Sequence, residues 1–382
     1  MIDIREKSQC CGCTACVNAC PRQCIVMRRD RKEGFDYPVA NPDLCIGCGK
    51  CEAVCPVLNP RQETEPLEAF AARSRRFIDG SSSGGVFPLV AAGVISRGGA
   101  VFGAASDGQA EVSHRMAESI EEVEGMRGSK YVQSELFAAF EDVRSCLEAG
   151  REVLFTGLPC QVAGLKNWLG KDNDRLLTMD CACHGVPGPG LWEIYVKALE
   201  KRMDRKVEGV VFRDKSRSWY HYDFVVNGNR IPYMKDPYMA LFVQNMTLRP
   251  SCYACPVRNG RSGSDLTLAD LWNAAEVAGE MNDDRGVSLV CVNTDRGRRA
   301  FESVRGELSS VPVDFYEASK NNGGFAASVP VPEERDRFFS GLHSAPDVYG
   351  YMKSFVRRPP FTRRAFNAVR SLLVKLKKML LS

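Results

Sequence analysis

The sequence predicts an α/β protein whose mixed or mainly parallel sheet has flanking helices, behind a small N-terminal bacterial ferredoxin-like domain. Three observations carry that prediction. Helical and strand-like segments alternate from Leu67 to about Val348, a pattern that layers helices on a sheet. The first sixty residues hold two copies of one cysteine run, Cys10-x-x-Cys13-x-x-Cys16-x-x-x-Cys20-Pro21 and Cys45-x-x-Cys48-x-x-Cys51-x-x-x-Cys55-Pro56. With 382 residues, 26% charged and 44% hydrophobic, the chain can bury a substantial core of ordinary globular composition.

Residues 1–60 form the ferredoxin-like unit, two ligand loops separated by Ile25–Pro42, which suits a hairpin. The polar stretch Asn59–Pro66 is a linker to the unit over 67–350. There Ser81–Gly85 turns into an apolar helix ending near Ser96, and Gly98-Gly99 opens a strand over Ala100–Ala105. Glu122–Gly125 and Glu135–Ala149 read as helical, Val153–Thr156 as a buried strand, and Gln161–Leu169 as a helix. Leu176–Cys181 is a strand, followed by a Gly/Pro loop and an amphipathic helix to Met203. A strand over Val207–Phe212 precedes a hairpin in which Tyr222–Val226 and Ile231–Tyr233 flank Asn227-Gly228. Leu266–Ala269 and Ser288–Val292 are short strands, the second feeding a helix capped by Thr294 or Asp295. Residues 357–382 carry eight Arg or Lys and no acid, with apolar residues at helical spacing. That is a basic amphipathic helix, suited to its own domain, a partner subunit or an anionic membrane surface.

The cysteine runs specify chemistry. Three thiolates at two-residue spacing cap three irons of one cubane, and the fourth, before proline, reaches the other cluster. Cys10, Cys13, Cys16 and Cys55 are therefore expected on one 4Fe–4S centre, and Cys45, Cys48, Cys51 and Cys20 on the second. Zinc is the alternative for Cys-x-x-Cys, but it has no use for a third step or for the proline repeated in both copies. The chain opens without an apolar signal segment, and clusters persist where thiols stay reduced, so a cytoplasmic setting is expected. No run is long enough to span a membrane. The net charge of +4 says little about partners, and no nucleic-acid partner is expected. The sequence has no Walker motif, Ser–His–Asp arrangement or Rossmann fingerprint, which disfavours phosphoryl transfer and hydrolysis.

A third set of cysteines lies beyond strand ends. Cys160 follows Gly157-Leu158-Pro159, Cys183 precedes His184-Gly185-Val186-Pro187, and Cys252 and Cys255 form a Cys-x-x-Cys between Pro250 and Pro256. Loops at strand carboxyl ends converge on one rim, so these four thiols can hold another cubane or a zinc. Cys146, Cys181 and Cys291 fall inside elements and read as small buried hydrophobes. Cys11 and Cys24 extend neither motif.

The strings Ser83-Gly84-Gly85-Val86-Phe87, Arg127–Ser134, Thr156–Gln161, Cys183–Pro187, Val211–Lys215, Cys252–Cys255 and Asp265–Trp272 resemble the coenzyme F420 hydrogenase/dehydrogenase beta-subunit family, over roughly residues 67–320. The resemblance implies an α/β flavoprotein that binds FAD beside a 4Fe–4S cluster. It further implies Cys160, Cys183, Cys252 and Cys255 as that cluster's ligands. Members with this layout also occur where coenzyme F420 is not expected, so the family name assigns no substrate.

For the FAD pyrophosphate, Ser82, Ser83, Gly84 and Gly85 ahead of a helix offer hydroxyls, free N–H groups and a positive helix end. Gly128, Ser129 and Lys130 form a second candidate contact, with Lys130 suited to a phosphate or to the electron-rich edge of reduced flavin. His184 can donate to a cluster sulfide or relay a proton to the flavin. Arg213 and Lys215 can grip an acidic substrate or face water, and Asp270 and Trp272 can shape the flavin pocket. His114, His221 and His343 have no constellation around them. The reading is an iron–sulfur flavoprotein oxidoreductase acting on a small molecule, with ferredoxin or a partner subunit as redox partner. The alternatives are a non-catalytic electron-transfer subunit and a cluster-based sensor or scaffold.

Overall fold

The computed structural model describes residues 1–106 and 111–357. The basic stretch over 358–382 lies outside them, as does most of the expected C-terminal helix. Among the described residues no helix is long and apolar enough to cross a membrane.

In the N-terminal unit, β1 (Ile25–Arg29) and β2 (Asp36–Ala40) pair antiparallel with Ile25 opposite Ala40. One helical turn follows each ligand loop, at Ala15–Asn18 and Lys50–Ala53. The larger unit contains β3 (Glu68–Ser74), β4 (Ala100–Ser106), β5 (Val112–Ala117), β6 (Val153–Gly157), β7 (Leu176–Cys181), β8 (Val210–Asp214), β9 (Asp223–Val226), β10 (Asn229–Pro232), β11 (Leu266–Asp270), β12 (Ser288–Val292) and β13 (Leu308–Pro312). Eight of these form one mixed sheet in the order β13-β3-β12-β11-β7-β6-β4-β5. Only the central run β11-β7-β6-β4 is parallel; its flanks are antiparallel.

Alternation along the strands sends side chains to both faces. Val101, Leu154, Leu177 and Val290 share one apolar cluster with the helices Val86–Ser96 and Asp295–Val304. Their neighbours Ala100, Phe102, Val153 and Phe155 pack on the other face, against Ala139–Glu148 and Pro159–Leu169. Covering both faces explains why these strands read as continuous apolar runs. A second core joins the antiparallel sheet β10-β9-β8 to the helices Pro189–Met203, Pro237–Val243, Arg335–Leu342 and Val348–Phe355.

Several sequence expectations shift. The helix expected over Glu135–Ala149 begins only at Ala139, because the Glu135 N–H donates to Val112 and its carbonyl accepts from His114. The helix expected from Gln161 starts at Pro159, whose fixed φ suits the first helical position. Cys160 therefore sits inside the first turn, not ahead of it. The linker is extended but tied: Thr64 N–H donates to Asn259 O and Leu67 N–H to Val292 O.

The two units are packed together through small residues. Gly164 faces Cys13, and a Cβ at that position would lie 2.9 Å from the Cys13 sulfur. Gly34 (φ +75°) lies against the backbone of Gly190 and Leu191 and accepts from Gly190 N–H. The Arg29 guanidinium bridges Asp36, Glu135 and Glu193 across the junction.

Candidate functional site

Three cysteines of the second run gather with one from the first. Cys20, Cys45, Cys48 and Cys51 line a single small cavity of about 20 Å³ together with Met1, Ile25 and Ile46. In the other loop Cys10, Cys16 and Cys55 lie close enough for their charges to interact, and burial pushes the Cys16 thiol up to about 12. Cys13 sits beside Cys16 and beneath Gly164.

The third set converges as well. Cys160, Cys183, Cys252 and Cys255 line a chamber of about 60 Å³ on the rim of the parallel strands. Burial raises the thiols of Cys183, Cys252 and Cys255, Cys252 to about 11. Bare thiols so placed stay protonated near neutral pH, whereas metal coordination removes the proton. Among the described residues no three His, Cys, Asp or Glu side chains close on one point as ligands of a single ion would.

Beside this chamber opens a cavity of about 1640 Å³, well above the size that holds a drug-sized ligand. Its wall includes Ser82, Ser83, Gly85, Gly128, Ser129 and Lys130, with His184 and Trp272 elsewhere on it. Leu158, Asp180, Cys181, Cys183, Gly185 and Val186 line both spaces, so the two share a wall. The two polar loops are joined: Ser82 Oγ accepts from the Ser129 N–H at 2.6 Å and from its hydroxyl at 2.8 Å. Gly85 (φ +75°) leads into the helix Val86–Ser96, whose first residues Val86, Phe87 and Pro88 line the cavity. Lys130 Nζ donates to Arg127 O at 3.0 Å, and burial lowers its amine to about 7. His184 Nε2 is buried without a hydrogen-bond partner, and burial also depresses its imidazole.

Parts of the chain match known protein families. Residues 150–314 match the C terminus of the coenzyme F420 hydrogenase/dehydrogenase beta chain, and residues 9–59 and 37–116 each match a 4Fe-4S dicluster domain. The chain thus carries a region like the C terminus of that beta subunit behind a 4Fe-4S dicluster region. The F component of the F(420)H(2) dehydrogenase of Methanosarcina mazei is 28% identical over 328 residues, 80% of this chain and 85% of that protein. A 7Fe ferredoxin of Hydrogenibacillus schlegelii is 51% identical over 43 residues, 11% of this chain and 47% of the ferredoxin. A chain of the F420-reducing [NiFe] hydrogenase complex from Methanosarcina barkeri superposes with a TM-score of 0.47 at 14% identity, over 75% of this chain and 95% of that one.

Some expected contacts fall elsewhere. Gly84 does not line the large cavity: its N–H donates to Ser288 Oγ, and a Cβ there would lie 2.3 Å from Ala72 O. Its role is close packing on the sheet. Arg213 is buried, paired with Asp270 at 2.6 Å and stacked on Trp272 and Tyr222. Lys215 donates to Ser83 O and Arg285 O at 2.5 and 2.7 Å. Neither is a free cation facing water. Cys181, expected to be inert filling, lines both spaces; Cys146 and Cys291 are buried as expected.

Other residues escaped sequence reasoning. Cys11 lines the third chamber beside Cys160, and the Cys24 sulfur lies 3.3 Å from that of Cys20. Neither has a spacing that sequence could read. His114, without neighbours in sequence, bonds Ser134 Oγ through Nδ1 and Thr156 O through Nε2, each at 3.0 Å. A carbonyl accepts only, so Nε2 carries the proton; burial lowers His114 to about 4, keeping the ring neutral. Asp180 accepts from Thr267 Oγ1 at 2.6 Å, and burial raises its carboxyl to about 6.

Proposed function

We propose that this protein is an iron–sulfur flavoprotein oxidoreductase. In this reading the N-terminal unit holds two 4Fe–4S clusters, the third chamber holds another through Cys160, Cys183, Cys252 and Cys255, and the large cavity holds FAD. The observation that carries it is the shared wall: Cys183 lines both the thiol chamber and the large cavity.

The residues present fit these groups. Soft thiols, buried and protonated when bare, are the donor set of a metal–sulfide centre. The serine loops, the helix start and the flat face of Trp272 suit phosphates and a planar ring. Bound FAD supplies two-electron exchange with a substrate and one-electron exchange with a cluster. The Ser82–Ser129 contact holds the two loops in register for a phosphate. Lys130, its amine lowered to about 7 by burial, holds its proton more firmly opposite an anionic group. The unpartnered His184 Nε2 holds a proton or a hydrogen bond on the wall of the large cavity, next to Cys183 in sequence. The related Methanosarcina mazei protein is named as one component of a multi-component dehydrogenase, which favours a partner subunit as redox partner here.

Anaerobic purification with iron, sulfide, zinc and flavin quantified together tests the reading. The expected result is about twelve irons and one FAD per chain, from three cubanes. Cys183→Ser should lower iron by about four while leaving the ferredoxin-type signals. About eight irons with one zinc in the wild type would overturn the third cluster. Clusters without flavin would leave a non-catalytic electron-transfer subunit.

A further inference from the structure

Four arginines in the described core are nearly inaccessible to water: Arg213, Arg249, Arg258 and Arg335. Two have carboxylate partners, Arg213 with Asp270 and Arg335 with Glu33. The other two form no ion pair among the described residues, and both line the third thiol chamber.

Arg249 is 1% exposed. Its Nε donates to Cys10 O at 2.7 Å, Nη1 to Gln133 Oε1 at 2.9 Å and Nη2 to Asp36 O at 2.8 Å. Nη2 also approaches the Cys10 sulfur at 3.5 Å, and the guanidinium stacks on Phe35 and Tyr37. Arg258 donates from Nη1 to Gly324 O at 2.7 Å and Cys183 O at 3.1 Å, and from Nε to Ser328 Oγ at 3.2 Å. Every acceptor here apart from the Cys10 sulfur is neutral. The nearby Glu33 is committed to Arg335 and Lys7.

Neutral acceptors satisfy hydrogen bonds but leave the charge uncompensated, and a buried charge without a counter-charge is costly. A guanidinium cannot escape by losing its proton. Among the described residues the one carboxylate bordering the same chamber, Asp180, accepts from Thr267 Oγ1 and from neither arginine, which leaves the direct counter-charge to whatever fills the space both side chains border. A four-thiolate cubane carries about −2 when oxidised and one more negative charge when reduced.

We propose that Arg249 and Arg258 are the fixed counter-cations of the third centre and hold its reduction potential above what four thiolates alone would give. Arg249, through the Cys10 sulfur, acts on the first ferredoxin-type centre too. This rests on the reading that the chamber holds a cubane.

The test is a redox titration of the anaerobic full-length holoprotein followed by electron paramagnetic resonance. Arg258→Gln should shift one midpoint to lower potential, and Arg249→Gln two. The Lys variants should shift less, because they keep the charge. A Gln variant that loses about four irons while its Lys counterpart retains them would equally support charge compensation. Fully loaded Gln variants with unmoved midpoints would overturn the proposal. Lys variants as shifted or as depleted as Gln would overturn it too, since geometry rather than charge would then matter. Wild-type protein with about eight irons would instead signal failure of the third cluster itself.

Discussion

Burial suppresses the positive charge of two residues at or beside the large cavity, Lys130 on its wall and His114 behind Ser134 and Thr156. Burial takes Lys130 from an ordinary lysine value to about 7. Between that value and about 10.4 the unfolded chain binds the extra proton, so stability rises with pH over this window. Lys130→Met should abolish that rise, compared by thermal unfolding at the two ends of the window. Loading FAD should flatten it in the wild type if an anionic edge restores the proton. His114, lowered to about 4, acts the same way at lower pH: stability falls as acid takes the solution below about 6.5, until pH 4. His114→Gln should remove this acid-limb contribution, read from the pH dependence of the denaturation midpoint. Neither prediction was open to sequence reasoning. Lys130 stood out as a loop cation suited to a phosphate or flavin edge, without its burial, and His114 finds Ser134 and Thr156 through β-strand pairing rather than through spacing.

At the scale of elements, the helix Pro159–Leu169 sets two physical preferences against each other. Alanine at Gly164 should strengthen an isolated helix by about 1 kcal/mol. Its Cβ, however, would meet both Cβ and the sulfur of Cys13 at 2.9 Å, and overpacking costs about 1–3 kcal/mol. Gly164→Ala should therefore destabilise the protein, with a lower denaturation midpoint and less iron taken up by the N-terminal unit. The strands most legible in sequence were those buried on both faces, such as Val153–Gly157 and Leu176–Cys181. β3 escaped notice because Glu-Ala-Phe-Ala-Ala-Arg-Ser has little β-branched character. β5 escaped because it is polar and at the sheet edge. Local spacing exposed ten candidate ligands, the two ferredoxin-type runs and Cys252-x-x-Cys255, whereas Cys160 and Cys183 stood out by their places beyond strand ends and by the family resemblance. Gly84 misled because a glycine needed for close packing looks the same as one needed for a phosphate.

For the molecule as a whole, the N-terminal unit and the sheet share a junction built from Gly34, Gly164, Arg29 and Arg249. Metal binding and folding are coupled where ligands come from separate segments. Stripping iron should therefore lower the unfolding temperature of both units together, not of the N-terminal unit alone, as differential scanning calorimetry of loaded and chelated protein would reveal. Cys10 and Cys11 sharpen the point. They are consecutive, yet Cys11 turns into the third chamber while Cys10 belongs with the first ligand loop and the Arg249 guanidinium. With the proposed third cubane in place, one peptide unit serves as party wall between two oxygen-labile centres. Corrosion that breaches either side will expose the other, so inactivation in air should be concerted, with both signals decaying at a single rate.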